Sequence, residues 1–228
     1  MTANPTVRPK PFTWSYSALK NYETCGVRYE HYNVLKDVKE PETPQLKAGH
    51  SLHLAFDARL KGAPLASPYT QHEPMLARIA NAPGETVAEL KMALTSQFMP
   101  TAYSNKDVWF RTVVDAANYH GDIANIFDWK TGAVRPDDTQ LQLMAAATFA
   151  YRPAIHRVKA SLVFLADKKI ITEHYLREDL QTIWGEILPR VRALKEAVEA
   201  NEFTVTPSGL CKKYCAVTSC RFNGGFRG

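Results

Sequence analysis

The chain has 228 residues, of which 45% are hydrophobic and 22% are charged, as in an ordinary globular protein with an ample hydrophobic core. No stretch approaches the ~18 consecutive apolar residues that a membrane span requires, which excludes a membrane-spanning protein. The balance of 28 Lys and Arg against 23 Asp and Glu suits a polyanionic partner without requiring one.

The beginning of the chain reads MTANPTVRPKPF and lacks the apolar region of a secretion signal. We therefore expect residues 1–12 to form a flexible arm and the protein to be cytoplasmic. One domain over residues 1–228 is expected, since no internal repeat or linker divides the sequence.

Helical spacing of apolar residues dominates the first third of the chain. The best pattern has Pro44 in its first turn, ends before Gly62, and places Gly49, His53 and Phe56 on one stripe. The predicted helices of this part cover residues 15–35 (one interrupted helix or two short ones, because of Gly26), 43–62 and 71–81.

The pattern then changes to runs rich in Val, Ile, Phe and Trp without helical periodicity, which are typical of strands. Strands are predicted over residues 85–94, 107–119, 122–130, 157–166 and 169–176. Helices are predicted over about 137–151 and about 179–201. This order indicates an α/β fold with one mixed β-sheet flanked by helices.

Charged residues interrupt one apolar strand pattern in the stretch NIFDWKTG, residues 125–132. Burying an unpaired carboxylate or ammonium is costly, so Asp128 and Lys130 need compensation if this strand is buried. The simpler interpretation is a solvated ion pair at the end of the strand.

A second carboxylate comes from the preceding strand. A hairpin that turns at His120 and Gly121 would place Asp115 opposite Ile126 and diagonal to Asp128. Two carboxylates at close range suit a hard cation such as Mg²⁺ or Mn²⁺. A turn of odd length would instead send Asp115 to the other face of the sheet.

A strand ending in Asp, a hairpin leading to Asp-x-Lys and Gly, and a helix opening with Gln together resemble the PD-(D/E)xK nuclease superfamily. Over about residues 15–220 the chain looks most like the RecB-nuclease-like branch, which includes CRISPR adaptation nucleases and phage exonucleases. The resemblance implies a restriction-endonuclease-like core and a metal-dependent exonuclease acting on single-stranded DNA or DNA ends. The alternative is a nucleic-acid-binding or adaptor subunit that keeps the fold without hydrolysis.

The first family motif, G-x-x-x-H, is matched by Gly49 and His53, so the resemblance implies that His53 binds the metal. His50 is a competing candidate that lies off the apolar stripe. The second and third motifs fall on Asp115 and on Asp128 with Lys130. The resemblance implies that both Asp residues bind Mg²⁺ or Mn²⁺, together with the carbonyl of Trp129.

The last family motif, Q-x-x-x-Y, is only half matched. Gln140 supplies the Gln, Met144 stands in place of the Tyr, and Gln142 is an alternative Gln. Gln140 would order Lys130 or a phosphate. Two accessory residues are also expected near the site, namely Glu89 and Arg111.

Four cysteines occur in the chain, one near its start and three in the stretch CKKYCAVTSC. The spacing alone is a moderate signal for zinc. In the RecB-like branch, one Cys before the nuclease core and three after it hold a [4Fe-4S] cluster. The resemblance therefore implies a cluster, with structural Zn²⁺ as the alternative, that would pack the tail (205–228) on the helical segment 14–35; its ligands would be Cys25, Cys211, Cys215 and Cys220.

Aromatic residues interleave with basic ones along the first helical segment. They would either pack in the core or stack on the bases of a single strand. The residues in question are Trp14, Tyr16, Tyr22, Tyr29 and Tyr32, with Lys20 and Arg28.

Overall fold

A computed structural model describes residues 11–39, 42–134 and 138–226. Its α-helices are α1 (Tyr16–Thr24), α2 (Gly26–Tyr29), α3 (Pro44–Leu60), α4 (Glu73–Ala80), α5 (Asp138–Tyr151) and α6 (Leu180–Ala200). Its strands are β1 (Trp14–Ser15), β2 (Glu85–Leu94), β3 (Pro100–Thr101), β4 (Phe110–His120), β5 (Ile123–Lys130), β6 (Arg157–Phe164) and β7 (Lys169–Leu176). A π-helical turn follows α2, and short 3-10 helices precede α4 and α6; they cover Glu30–Leu35, Ser67–His72 and Arg177–Asp179.

Each helix predicted from apolar spacing and each strand predicted from residue composition has a counterpart in the structure. Two strands of two residues each, β1 and β3, had no sequence pattern that predicted them. Most of the predicted arm, residues 1–10, and the predicted helix start at residue 137 lie outside the described residues.

The described strands form one seven-stranded sheet in the order β3-β2-β4-β5-β6-β7, with β1 paired to β4 beside this path. The pairs β5–β6 and β1–β4 are parallel, and the others are antiparallel. The predicted mixed sheet is therefore confirmed. None of the described helices has the length and apolar composition needed to cross a membrane.

Helices cover both faces of the sheet. On one face, the main core packs against α1, α5 and α6 and includes Leu19, Phe149 and Ile187. On the other face, α3 and α4 pack against the sheet through a second core that includes Phe56 and Trp129. Helix α5 is buried on nearly every side from Leu143 to Phe149, which explains why this part of its sequence is mostly apolar.

The break between α1 and α2 lies at Cys25, whose backbone is extended. Gly26 follows, and a Cβ atom added there would lie 2.7 Å from the backbone oxygen of Thr204. Glycine therefore permits the close approach of the segment that follows α6, in addition to weakening the helix.

The β4–β5 hairpin differs from its predicted register. His120 pairs with Ile123, so the turn residues are Gly121 and Asp122, and Ala117 lies opposite Ile126. The predicted turn at His120 and Gly121 was wrong by one residue, which moves the pairing by two positions. A shift of two preserves the alternation of side chains, whereas a shift of one would have reversed it.

Candidate active site

Strands β4 and β5 separate at the position of the two carboxylates. Their ladder extends from the turn to the pair Ala116–Phe127, and the next pair in register would be Asp115 and Asp128. The β2–β4 ladder also omits Asp115 and its partner Glu89, whose φ is +50°. A left-handed conformation is costly for a non-glycine residue within a strand, so the sheet is irregular where the acidic residues lie.

Asp115 occupies the gap between the strands. Its Oδ2 accepts a hydrogen bond of 2.7 Å from the backbone N–H of Trp129, and its Oδ1 lies 3.0 Å from Nδ1 of His53. The carboxylate therefore lies against the peptide that joins Asp128 to Trp129. Its hydrogen bond to His53 raises the pKa of that imidazole, despite the opposing effect of partial burial.

Asp128 is contacted from the opposite side, by α5. Its Oδ1 accepts a hydrogen bond of 2.9 Å from Nε2 of Gln140, and its Oδ2 lies 2.7 Å from Nζ of Lys130. Lys130 in turn donates to Oε1 of Gln140 at 2.8 Å. Only 7% of Asp128 is exposed, and this burial raises its pKa, while the Lys130 charge opposes the increase and the Asp115 charge adds to it.

A cavity of about 430 Å³ lies between α3 and the sheet beside Asp115. Its walls include His53, Asp115, Trp129 and Thr131. A Cβ atom on Gly49 would lie 2.9 Å from Oγ1 of Thr131, so the glycine allows α3 to lie close to the end of β5. The carboxylate and imidazole are thus reachable by a ligand that enters this cavity.

Two further acidic residues line the same cavity. Glu89 was expected near the site and lies there, while Asp57 was not predicted. Lys61 contacts both, at 2.6 Å from Asp57 and 4.0 Å from Glu89. The signal for Asp57 was available, because it follows His53 by one helical turn.

The remaining candidates take different positions. His50 lines the cavity beside His53. Gln142 turns away and donates to Glu186 of α6 at 3.0 Å, so of the two glutamines the structure brings Gln140 to Asp128. Arg111 is not part of the cavity lining; its guanidinium lies 5.4 Å from the ring of Tyr103.

Met144, at the family's Tyr position, is fully buried in the main core. It makes hydrophobic contacts there, and its carbonyl accepts a hydrogen bond from Thr148 of the same helix. The departure from the family motif is therefore accommodated as core packing.

The two carboxylates at this site are the oxygen donors that a hard divalent cation prefers, and the imidazole of His53 adds a nitrogen donor. Among the described residues, no group of three or more His, Cys, Asp or Glu side chains is arranged as a metal site. The donors instead contact one another and Lys130. Oδ2 of Asp128 is buried and makes no hydrogen bond of regular geometry, so it retains unused acceptor capacity. By donor chemistry, Asp115, Asp128 and His53 fit such a cation.

The four cysteines all line one small cavity between the α1–α2 junction and the tail. None of them forms a disulfide. The backbone N–H of Thr206 lies 3.4 Å from Sγ of Cys25, and that of Ser208 lies 3.2 Å from Sγ of Cys211. The structure brings the thiols to one region, although within the described chain no three of them have the arrangement of a metal site.

The chain is similar to a known protein family and to a solved structure. The profile of the PD-(D/E)XK nuclease superfamily matches residues 13–220. A crystal structure from Eubacterium rectale, named "putative exonuclease", has a TM-score of 0.53 at 13% sequence identity, covering 94% of this chain and 92% of that chain. The structure of SSO0001 has a TM-score of 0.43 at 13% identity, with 82% and 79% covered. No curated protein sequence matches this chain.

Proposed function

This chain belongs to the PD-(D/E)XK nuclease superfamily, and from that premise we propose that it is a Mg²⁺- or Mn²⁺-dependent DNA exonuclease acting on single strands or DNA ends. The main support is that Asp128, Lys130 and Gln140 form a bonded group next to Asp115 and its partner His53. The name of the Eubacterium rectale protein, which shares the fold, agrees with the exonuclease assignment.

The residues that would hold the cation are His53, Asp115, Asp128 and the carbonyl of Trp129. A divalent cation at such a site lowers the pKa of a bound water and neutralises charge on the phosphate oxygens. Each carboxylate oxygen of Asp115 accepts one hydrogen bond and keeps a second lone pair for a further ligand.

Asp115 also orients His53. Because Nδ1 of His53 faces the carboxylate at 3.0 Å, the proton of the neutral ring belongs on Nδ1 and Nε2 is left as the ligating nitrogen. A carboxylate that holds one imidazole nitrogen fixes the ring and increases the basicity of the other nitrogen.

Lys130 supplies the positive charge near the scissile phosphate. Its ammonium is held by Gln140 at 2.8 Å and by Asp128 at 2.7 Å, so it cannot rotate freely among conformations. An ammonium fixed in advance stabilises the charge that develops on the phosphate oxygens, or orients the attacking water, without reorganisation during the reaction. Gln140 acts as the positioning residue for this step.

We also assign a [4Fe-4S] cluster to the four cysteines, with structural Zn²⁺ as the alternative, because four thiolates can hold either one. Its support is the single cavity that Cys25 shares with the three tail cysteines. Metal analysis and a visible absorption spectrum of protein purified without oxygen would distinguish the two. Cys25→Ser should release the metal and loosen the tail while leaving Asp115 and Asp128 in place.

The hydrolytic function is tested with end-labelled single-stranded DNA and Mn²⁺. The wild-type protein should shorten the strand, and Asp115→Ala and Lys130→Ala should not. Equal activity in these variants would reject the site. Binding of the strand without cleavage at saturating Mn²⁺ would favour the adaptor alternative.

A further inference from the structure

The segment that follows α6 has an unusual charge composition. From Phe203 to Phe226 it contains Lys212, Lys213 and Arg221 but no Asp or Glu, although the whole chain has 23 acidic residues. Within the described part of the chain, none of these three cations pairs with a carboxylate. No carboxylate of the described residues therefore neutralises these three charges, which can contact an anionic partner.

The basic residues come from two stretches that pack together. A Cβ atom on Gly224 would lie only 2.3 Å from the backbone oxygen of Lys212, and Nδ2 of Asn223 donates to the carbonyl of Cys215 at 2.8 Å. The stretches around Lys212 and Arg221 thus form one surface. We call it the tail patch and define it as Lys212, Lys213, Tyr214, Arg221 and Phe222.

Aromatic rings lie among these cations. Tyr214 is 62% exposed, and Nζ of Lys213 lies 5.3 Å from the centre of its ring. The guanidinium of Arg221 lies 4.9 Å from the centre of the Phe222 ring. Core packing does not account for a ring as exposed as that of Tyr214, whereas an unpaired nucleobase could stack on it.

We propose that the tail patch binds single-stranded nucleic acid, with Lys212, Lys213 and Arg221 contacting phosphates and Tyr214 stacking on a base. The nucleic-acid partner follows from the function proposed above, but this contact surface shares no residue with the cavity at Asp115. A base must be unpaired to stack on an exposed ring, which selects single strands over duplexes.

A series of contacts connects the tail, which carries the patch, to the active site. The tail packs on the α1–α2 junction through Cys25. Glu23, two residues earlier, is bonded to Arg190 of α6 at 2.6 Å, and Arg190 donates to Thr139 at 3.0 Å. Thr139 immediately precedes Gln140, so α1, which the tail contacts, is connected through Arg190 of α6 to the helix turn that positions Lys130. The patch and the site are thus linked by directly contacting elements.

The test is binding of fluorescein-labelled oligothymidylate, measured by fluorescence anisotropy over a range of salt concentrations without added divalent cation. Changing Lys212, Lys213 and Arg221 together to Gln should lower the slope of log affinity against log salt by about 2, at ~0.7 per phosphate contact. The matched control is Gln at three exposed lysines elsewhere, Lys106, Lys159 and Lys169, which should leave the slope unchanged.

Tyr214 is tested separately. Tyr214→Ser should weaken binding roughly 5- to 150-fold at every salt concentration with an unchanged slope, because it removes a stacked base and no charge. Tyr214→Phe should retain the wild-type affinity. The control Ile170→Ser removes an apolar side chain of similar exposure, 59%, and should have no effect.

The proposal is overturned if the triple variant keeps the wild-type slope or if Tyr214→Ser binds as tightly as wild type. The second result would leave a merely basic surface, of the kind that an acidic protein could also occupy. Because binding is measured without a cation, a protein that binds through the patch but hydrolyses nothing would contradict only the nuclease function. If the protein cleaves DNA but the triple variant and Tyr214→Ser bind as wild type does, only this inference is contradicted.

Discussion

Asp115 and Trp129 are joined by a hydrogen bond of 2.7 Å from a backbone N–H to a side-chain carboxylate. This bond replaces the ladder bond that would be expected between β4 and β5 at that position, because the pairing of the two strands ends one step earlier. The same carboxylate holds His53 at 3.0 Å. Asp115 therefore has both a structural and a chemical role, and different substitutions should separate the two.

Asp115→Asn keeps an oxygen that can accept the Trp129 N–H, whereas Asp115→Ala leaves that buried N–H without a partner. We expect Asp115→Ala to have a free energy of unfolding lower than that of Asp115→Asn by about 1–3 kcal/mol, the cost of an unsatisfied buried donor. Urea unfolding measures the difference. Both variants should lack nuclease activity, and equal stability of the two would contradict the structural role.

Two glutamines of α5 provide a matched pair. Gln140→Ala removes the contact that fixes Lys130 and Asp128, and should lower kcat by about 10- to 100-fold, since misplacing a catalytic group by ~1 Å has effects of this size. Gln142→Ala removes only the exposed bond to Glu186 and should behave as wild type. Single-turnover cleavage rates of the two variants make the comparison, and a reversed order would assign the positioning role to Gln142.

Gly26 should be required for docking of the tail. Gly26→Ala forces a Cβ atom to within 2.7 Å of the backbone of Thr204, the residue before the tail, so the tail should separate from α2 and be cut faster by a protease. Gly185→Ala in α6 is the control, because among the described residues no atom beyond its chain neighbours and its own helix backbone lies within 4 Å of the added Cβ. That change should be neutral or stabilising by up to ~1 kcal/mol. Equal protease resistance of the two variants would show that the tail does not depend on this close approach.

His72 should make stability depend on pH. Its ring packs 5.2 Å from that of Phe56, and burial lowers its pKa from the usual 6.5. The unfolded chain then binds more protons than the folded one below that value, so this contribution to stability is complete above pH 6.5 and decreases as the pH falls. The urea midpoints of wild type and His72→Gln should diverge between about pH 7.5 and pH 5.5, and parallel curves would contradict the assignment.

The order of helices and strands was predictable because the helices have helical apolar spacing and the long strands are runs rich in Val, Ile, Phe and Trp without it. The two-residue strands β1 and β3 were not, since two residues cannot show a period. The exact turn of the β4–β5 hairpin was also missed, because His120–Gly121 and Gly121–Asp122 could each form it. The positive φ of Glu89, which accompanies the irregular sheet at Asp115, could not be predicted either, because a glutamate in the sequence does not indicate that conformation.

The site itself was only partly predictable. Strand register pointed to Asp115, Asp128 and Lys130, and the family resemblance added His53 and Gln140, with Gln142 left as the alternative to Gln140. An amphipathic helix shows which side faces the core, and α5 is apolar on nearly every side. Which glutamine faces the sheet is therefore decided by tertiary packing.

The aromatic residues show a similar limit. Trp14 and Tyr29 of the first segment are buried, 1% and 5% exposed, in agreement with the core interpretation. The most exposed tyrosine among the described large hydrophobic residues is instead Tyr214, in the tail. Its exposure depends on how the tail folds on α1 and α2, which no local pattern specifies.

The most direct measurement is binding of Mn²⁺, followed by the loss of the electron paramagnetic resonance signal of free Mn²⁺ on titration with protein. The wild-type protein should remove the signal, and Asp115→Asn and Asp128→Asn should bind Mn²⁺ at least ~10-fold more weakly, because each lacks one carboxylate ligand. Gln142→Ala should bind as wild type. Binding of Mn²⁺ by both Asn variants with wild-type affinity would contradict a cation centre at this end of the sheet.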